Sequence, residues 1–215
     1  MKNQSKGQDT KEHIIKCSRE LFYEYGYHAT TARMISNHSN TNLGLLNYYF
    51  KGKIEIGATV YYDIRNTFDK LILQNEPDLS EIDLFLFSSA VELYLCLENS
   101  NYGRFFHEII FEPTVHFRTL NYIIGVFTKH AIYEGSDDYP YLAGVSVSAV
   151  KPALVESSLS LDKKVKIDTY IDYYLQQQLH YFGIDTDLSI NYLNMLKKYY
   201  INIAGNFTPI LAKLL

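Results

Sequence analysis

Cysteine is almost missing from this chain: two residues, Cys17 and Cys96, occur in 215. Each sits in an apolar helical pattern, which predicts buried free thiols in place of a disulfide or a thiolate metal site. The patterns that build catalytic centres are missing too. There is no Cys-x-x-Cys, no Gly-rich phosphate loop and no Ser or Cys nucleophile motif. His107-Glu108 starts an H-E-x-x-H pattern, but Phe111 stands where the second metal-binding histidine belongs. No catalytic residue, no metal and no cofactor is therefore expected, and nothing supports an enzyme. Helical folds can still assemble sites from distant residues.

Long apolar runs are scarce as well. The opening MKNQSKGQDTK lacks the apolar core of a signal peptide. The most apolar run, Leu84–Leu97, is too short to span a bilayer and contains Glu92. A cytoplasmic protein without membrane association is the expectation. Internal repeats, low-complexity segments and convincing strand pairs are absent, and the glycines fall mostly at helix ends. The chain reads as all-α.

Aromatic residues are what the chain has in excess: 20 Tyr and 12 Phe, with no Trp. They pack amphipathic helices with their hydroxyls at the surface, or some of them line a ligand cavity. A net charge of −4 speaks against nucleic acid if the chain is one object. Its distribution says otherwise: residues 1–65 carry nine Lys/Arg and six Asp/Glu, the rest eleven and eighteen. A mildly basic head on an acidic body agrees with DNA contact confined to the N-terminus.

Helical spacing places the elements. Residues 1–8 are polar and expected to be disordered. Asp9 or Thr10 caps a first helix that ends at Gly26. Further helices are expected over Lys53–Gln74, Glu81–Asn99 (capped by Ser80), Arg104–Glu112, Val115–Tyr133, Tyr141–Leu159, Lys164–Phe182 and Asp187–Ala204. A tail, Thr208–Leu215, follows. A kink is expected at Pro152.

The most informative stretch is Thr30–Lys53, TTARMISNHSNTNLGLLNYYFKGK. Thr30 or Thr31 can cap a short helix, Ala32–Ser39, and Asn40 suits a left-handed turn position. Asn42–Phe50 then forms a second short helix with Leu46 and Phe50 on its buried face. Asn42, Leu43, Asn47 and Tyr48 point outward. Two short helices around a tight turn form the shape that enters a DNA major groove. Asn47 can pair with an adenine edge, or bond a phosphate or cap locally. Leu43 and Leu45 can touch a thymine methyl, or fill the surface of the head. Thr31, Arg33, Tyr48, Tyr49 and Lys53 have the reach for phosphates, and Gly44 permits close approach.

The run ELFYEYGYHATTARMISNHSNTNLGLLNYYFKGKIEI resembles the N-terminal DNA-binding domain of the tetracycline-repressor (TetR) family. The resemblance rests on Leu21-Phe22, Gly26-Tyr27, Thr31 with Ile35, and Gly44 through Phe50 with Lys53. Asn40 and Thr41 replace the family's Gly-Val, Asn47 its Tyr, and Tyr49 its His. The resemblance implies a three-helix DNA-binding domain over 9–53 and a helical effector-binding and dimerisation domain over 54–215. It implies a homodimer on a palindromic operator, a repressor released by an unidentified small molecule, and Lys53 set against phosphate. It also implies that the last two long helices pair with their two-fold mates, with Leu179 and Leu196 inside that contact. A body that binds a protein partner instead is the alternative. Within Arg104–Glu112, the group Arg104, His107 and Glu108 is either a surface salt bridge or the polar corner of the implied pocket.

Overall fold

The structure is a computed structural model that describes residues 2–132, 136–160 and 165–195. Among these residues all regular structure is helical. The head comprises α1 (Lys2–Tyr25), α2 (Ala32–His38) and α3 (Leu43–Tyr49). The body comprises α4 (Lys53–Asn75), α5 (Glu81–Glu98), α6 (Ser100–Ile110), α7 (Pro113–His130), α8 (Tyr139–Ser160) and α9 (Ile167–Phe182). A 3-10 turn, Thr186–Leu188, leads into a helical segment over 189–195.

The head folds where its local chemistry directs. α1 begins at Lys2, well before the expected Asp9 or Thr10 cap. Its extra turns include the good helix formers Lys and Gln, with a Gln8–Glu12 hydrogen bond of 2.7 Å one turn apart. Gly26, with φ at 86°, ends α1. The Thr30 hydroxyl then donates to the Gly26 carbonyl at 2.7 Å, and Thr31 caps α2 by accepting from the Met34 N–H at 3.2 Å. Asn40 takes the left-handed position with φ at 49°. Ile14, Phe22, Ile35, Leu46 and Phe50 close a small core, each at most 1% exposed.

α4 leaves the head as one continuous helix and packs against α1, α5 and α6. α5 is capped by a reciprocal Ser80–Asp83 box and buries side chains on nearly every side. α7 and α8 form the most extensive helix pair, and α8 runs on through Pro152. Pro113 at its first turn starts α7, a position where a missing N–H costs nothing.

The apolar stripe of α9 has a different use from the one expected of it. Ile171, Tyr174, Leu175, Leu179 and Phe182 are buried inside this same chain, largely against α5. Phe182 stacks on Phe127 with centroids 4.2 Å apart. Leu179 is thus a core residue of the protomer, because α5 needs an apolar partner on that side. Leu196, Tyr200, Ile203 and the tail lie outside the described residues, as do Tyr133, Gly135 and the expected helix start at Lys164. Among the described residues no helix is long and apolar enough to cross a membrane.

Candidate nucleic-acid interface and body cavity

The outer face of α3 and the start of α2 carry the residues expected to meet DNA. Leu43, Gly44, Asn47 and Tyr48 are exposed, with Tyr48 at 80%, while Leu45 and Tyr49 are half-buried. Asn42 does not extend the helix. It caps α3, its side-chain oxygen accepting from the Leu45 N–H at 2.7 Å, so only its amide NH2 remains for an outside partner. Thr31 likewise commits its hydroxyl oxygen to the α2 cap, and Arg33 is exposed. Tyr48 and Tyr49 meet edge to face at 5.1 Å. Gly7 lies 3.4 Å (measured from the position of an added Cβ) from the Tyr49 hydroxyl, which brings the first turns of α1 to the end of α3.

Lys53 does more than the sequence suggests. Its ammonium donates to the Tyr27 carbonyl at 2.9 Å and lies 4.2 Å from the Tyr27 ring centroid. Burial lowers its pKa, opposed by the nearby Glu112 and Glu108 carboxylates. It pins the first turn of α4 to the turn after α1, with ammonium protons left over for a phosphate.

Arg104 and Glu108 are not among the residues that line the body cavity. Arg104 donates to the Tyr23 and Glu24 carbonyls at 3.3 and 2.8 Å, serving the open C-terminus of α1. Glu108 accepts from the His28 N–H at 2.8 Å. A Cβ at Gly26 would lie within 2.9 Å of Glu108 and 3.1 Å of Arg104, so both side chains press on that glycine. His107 faces away, 3.8 Å from Glu156. Arg104 and Glu108 thus serve the joint between head and body through α6, while His107 meets α8.

A second polar group in the head was not foreseen. His38 bonds Glu20 at 2.8 Å, tying α2 to α1. Cys17, Glu20 and His38 bring a thiol, a carboxylate and an imidazole within 4.8 Å of one another. Burial and the neighbouring Glu20 raise the Cys17 pKa, which keeps its thiol protonated.

The body holds a partly open cavity of about 230 Å³ lined from α4 to α9. Tyr61, Tyr62, Phe85, Phe106, Tyr122 and Tyr174 supply aromatic wall, so part of the tyrosine excess does line a cavity. The polar floor is a buried ion cluster. Glu92, 1% exposed, accepts from Arg65 at 3.1 Å and from Lys151 at 2.6 Å, both on Oε2. Burial pushes the Glu92 pKa up, but Arg65 and Lys151 outweigh it and hold the carboxyl below its usual range. Burial opposes the charge on Arg65 too, yet Glu92 leads a group of neighbours that raise its pKa. Arg65 also donates to the Ser88 carbonyl, and the Ser88 hydroxyl donates to Asp69. At the rim, the Arg118 guanidinium lies 3.9 Å over the Tyr62 ring. The sequence does hold one signal for this cluster: a lone glutamate in a helix buried all round must find partners.

Residues 14–56 match the bacterial regulatory proteins of the tetR family. RolR, solved in complex with resorcinol, is similar in fold at TM-score 0.58 and 18% identity, over 88% of this chain and 95% of that one. TylP of Streptomyces fradiae, a TetR regulator, gives 0.57 and 13%, over 91% and 93%. SmeT, the repressor of the Stenotrophomonas maltophilia efflux pump SmeDEF, gives 0.56 and 15%, over 79% and 88%. A further structure of SmeT holds triclosan. Residues 14–56 thus match the tetR-family model, and the chain shares its fold with these solved proteins.

Proposed function

We propose that the protein is a dimeric transcriptional repressor released from its operator by a small molecule bound in the body cavity. The observation that carries this reading is the course of α4. One uninterrupted helix starts at Lys53, against the head, and delivers Tyr61, Tyr62, Arg65, Asn66 and Asp69 to the cavity. A ligand that moves Arg65 therefore acts on the helix that positions the head. The cavity, lined by six helices, supports a small molecule over a protein partner, as do the ligands held by RolR and SmeT. DNA contact belongs to 9–53, and effector binding and dimerisation to 54–215. The compartment is the cytoplasm. The test is an operator found by randomised-site selection, followed by a small-molecule screen for its release. Failure to select any duplex would end the reading.

Dimerisation is assigned to the outer face of α8, supported by exposed Leu142 and Val145, at 57% and 37%, with Ala149 one turn on. Tyr173 of α9, 50% exposed, adds to the same kind of surface. A two-fold axis places the same patch on both subunits and the two α3 helices in successive major grooves of a palindrome.

Asn47 is the proposed base-reading residue. Its amide offers a donor and an acceptor, complementary to adenine N6 and N7 in the major groove. Asn47→Ala is expected to cost about 1–3 kcal/mol of discrimination at one base position per half-site. Non-specific affinity and its salt dependence should barely change. Parallel site selections on the two proteins decide this, and an unchanged motif would make Asn47 a phosphate contact.

Lys53→Ala is expected to weaken binding to every duplex alike. The slope of log affinity against log salt should fall by about one. A fluorescence-anisotropy salt series reads this directly. A changed base preference at an unaltered slope would remove Lys53 from the phosphate contacts.

A further inference from the structure

We propose that the effector is one small, uncharged hydroxylated aromatic, a phenol. Its hydroxyl donates to Glu92 Oε1 and accepts from Lys151 or Arg65. This rests on the reading of the cavity as an effector site and adds the chemistry of the effector.

Size comes first. Pockets for drug-sized ligands run to roughly 300–1,000 Å³, and this one holds about 230 Å³. A single ring with small substituents matches this space better than a long or multi-ring ligand. The walls select a flat ring: Tyr61, Tyr62, Phe85, Phe106, Tyr122 and Tyr174 come from five different helices. Rings of this kind pair edge to face or offset, an arrangement that favours an aromatic guest over an aliphatic one of equal volume.

Charge then separates a neutral guest from an ionic one. The floor holds two cations, Arg65 and Lys151, and two carboxylates, Glu92 and Asp69. Arg118 and the half-buried His116 stand at the rim. The third lining cation, Arg118, is exposed and lies over Tyr62, so at the floor two cations face two carboxylates, and an ion bound there would leave one unit of net charge uncompensated in a poorly solvated site. A neutral molecule leaves the balance intact.

The last observation separates a phenol from a plain hydrocarbon or ether. Glu92 takes both of its cations on Oε2, and Oε1 is buried without a hydrogen bond. The Tyr61 hydroxyl lies beside the carboxyl and favours its ionised form, without reaching hydrogen-bond geometry at Oε1, where a guest hydroxyl would join it. A buried carboxylate oxygen without a donor is costly and calls for one. The terminal torsion of a glutamate is broad, so Oε1 can turn to the guest. Lys151 has ammonium protons beyond the one given to Glu92, and these can reach the guest's oxygen. A phenol donates once and accepts once at a single atom, which matches this pair.

Isothermal titration calorimetry on the full chain tests the assignment with phenol, methoxybenzene and benzoate. Phenol is expected to bind at one per protomer. Methoxybenzene, which lacks the donor, and benzoate, which carries a charge, should each bind at least about tenfold more weakly, the factor one hydrogen bond to a charged group supplies. Methoxybenzene equal to phenol, benzoate tighter than phenol, or no binding by any of the three would each overturn the proposal. Ser89→Phe fills the cavity and should abolish the phenol signal, and Ser148→Phe serves the same end if that variant fails to fold. Undiminished binding by a folded filling variant would also overturn it. Operator release is read separately. Phenol that binds but leaves the protein on DNA would overturn phenol as the effector while leaving the chemistry of the cavity as argued. Release by benzoate with phenol inert does the reverse.

Discussion

Glu92→Ala is expected to destabilise the protein by about 3–5 kcal/mol, the usual result of removing one partner from a buried ion cluster. The loss is large beside a total stability of roughly 5–15 kcal/mol. Its origin is less the attraction lost than what remains: Arg65 and Lys151, both converging on Glu92 Oε2, would face each other unpaired. Replacing all three at once by apolar side chains of similar length (Arg65→Met, Glu92→Leu, Lys151→Met) should be close to neutral or stabilising, since no charge is then left buried. Urea denaturation of the two variants separates these effects. A triple variant as unstable as Glu92→Ala would mean that packing, not charge, sets the loss. The pH dependence has a fixed sign. The folded pKa of Glu92 is depressed, so its contribution is complete above the ordinary carboxylate value near about 4.3 and is lost as pH falls through the folded value. Relative to the triple variant, the native chain should therefore lose stability only in acid. A stability difference independent of pH down to acid unfolding would contradict that sign.

Leu179→Glu is expected to unfold the protomer, not to separate a dimer. Leu179 is fully buried within its own chain, and truncation of such a leucine already costs about 2–5 kcal/mol. A glutamate adds an unpaired charge in the same place. Leu142→Glu should behave in the opposite way. Its side chain is 57% exposed, so protomer stability should stay within about 0.5 kcal/mol, while charge in a self-complementary apolar patch should yield monomers. Sedimentation velocity and a thermal melt on both variants decide the matter. A folded Leu179→Glu monomer, or an intact Leu142→Glu dimer, would move the subunit contact back towards α9.

The head is largely legible in the sequence because its determinants are local. A threonine cap, a left-handed asparagine and two apolar residues four apart, Leu46 and Phe50, act within a few residues of one another. The onset of α1 is not, because Lys, Gln and Glu are good helix formers whether or not a cap precedes them. Nor is the cavity: Arg65, Glu92 and Lys151 meet from three helices, and no pattern along one helix records such a meeting. Arg104 and Glu108 show the same limit from the other side. Their spacing puts them on one face of α6 correctly, but spacing alone does not say that the face meets the end of α1. The stripe of α9 is apolar as its pattern says, yet it packs on a different neighbour from the expected one. Periodicity identifies a buried face without naming what covers it.

α6 has two audiences within about two turns. Phe106 and Ile110 form part of the cavity wall, while Arg104 and Glu108 grip the Gly26 turn and Phe105 stacks on Phe22 of α1 at 5.6 Å. An α-helix advances only about 1.5 Å per residue and behaves as a stiff rod over so short a distance. Displacement at Phe106 therefore reaches the head without attenuation and without amplification. The joint has no backlash either, because the space beside Gly26 is filled to contact. In mechanical terms α6 is placed as a push-rod and not a lever between the cavity wall and the Gly26 turn.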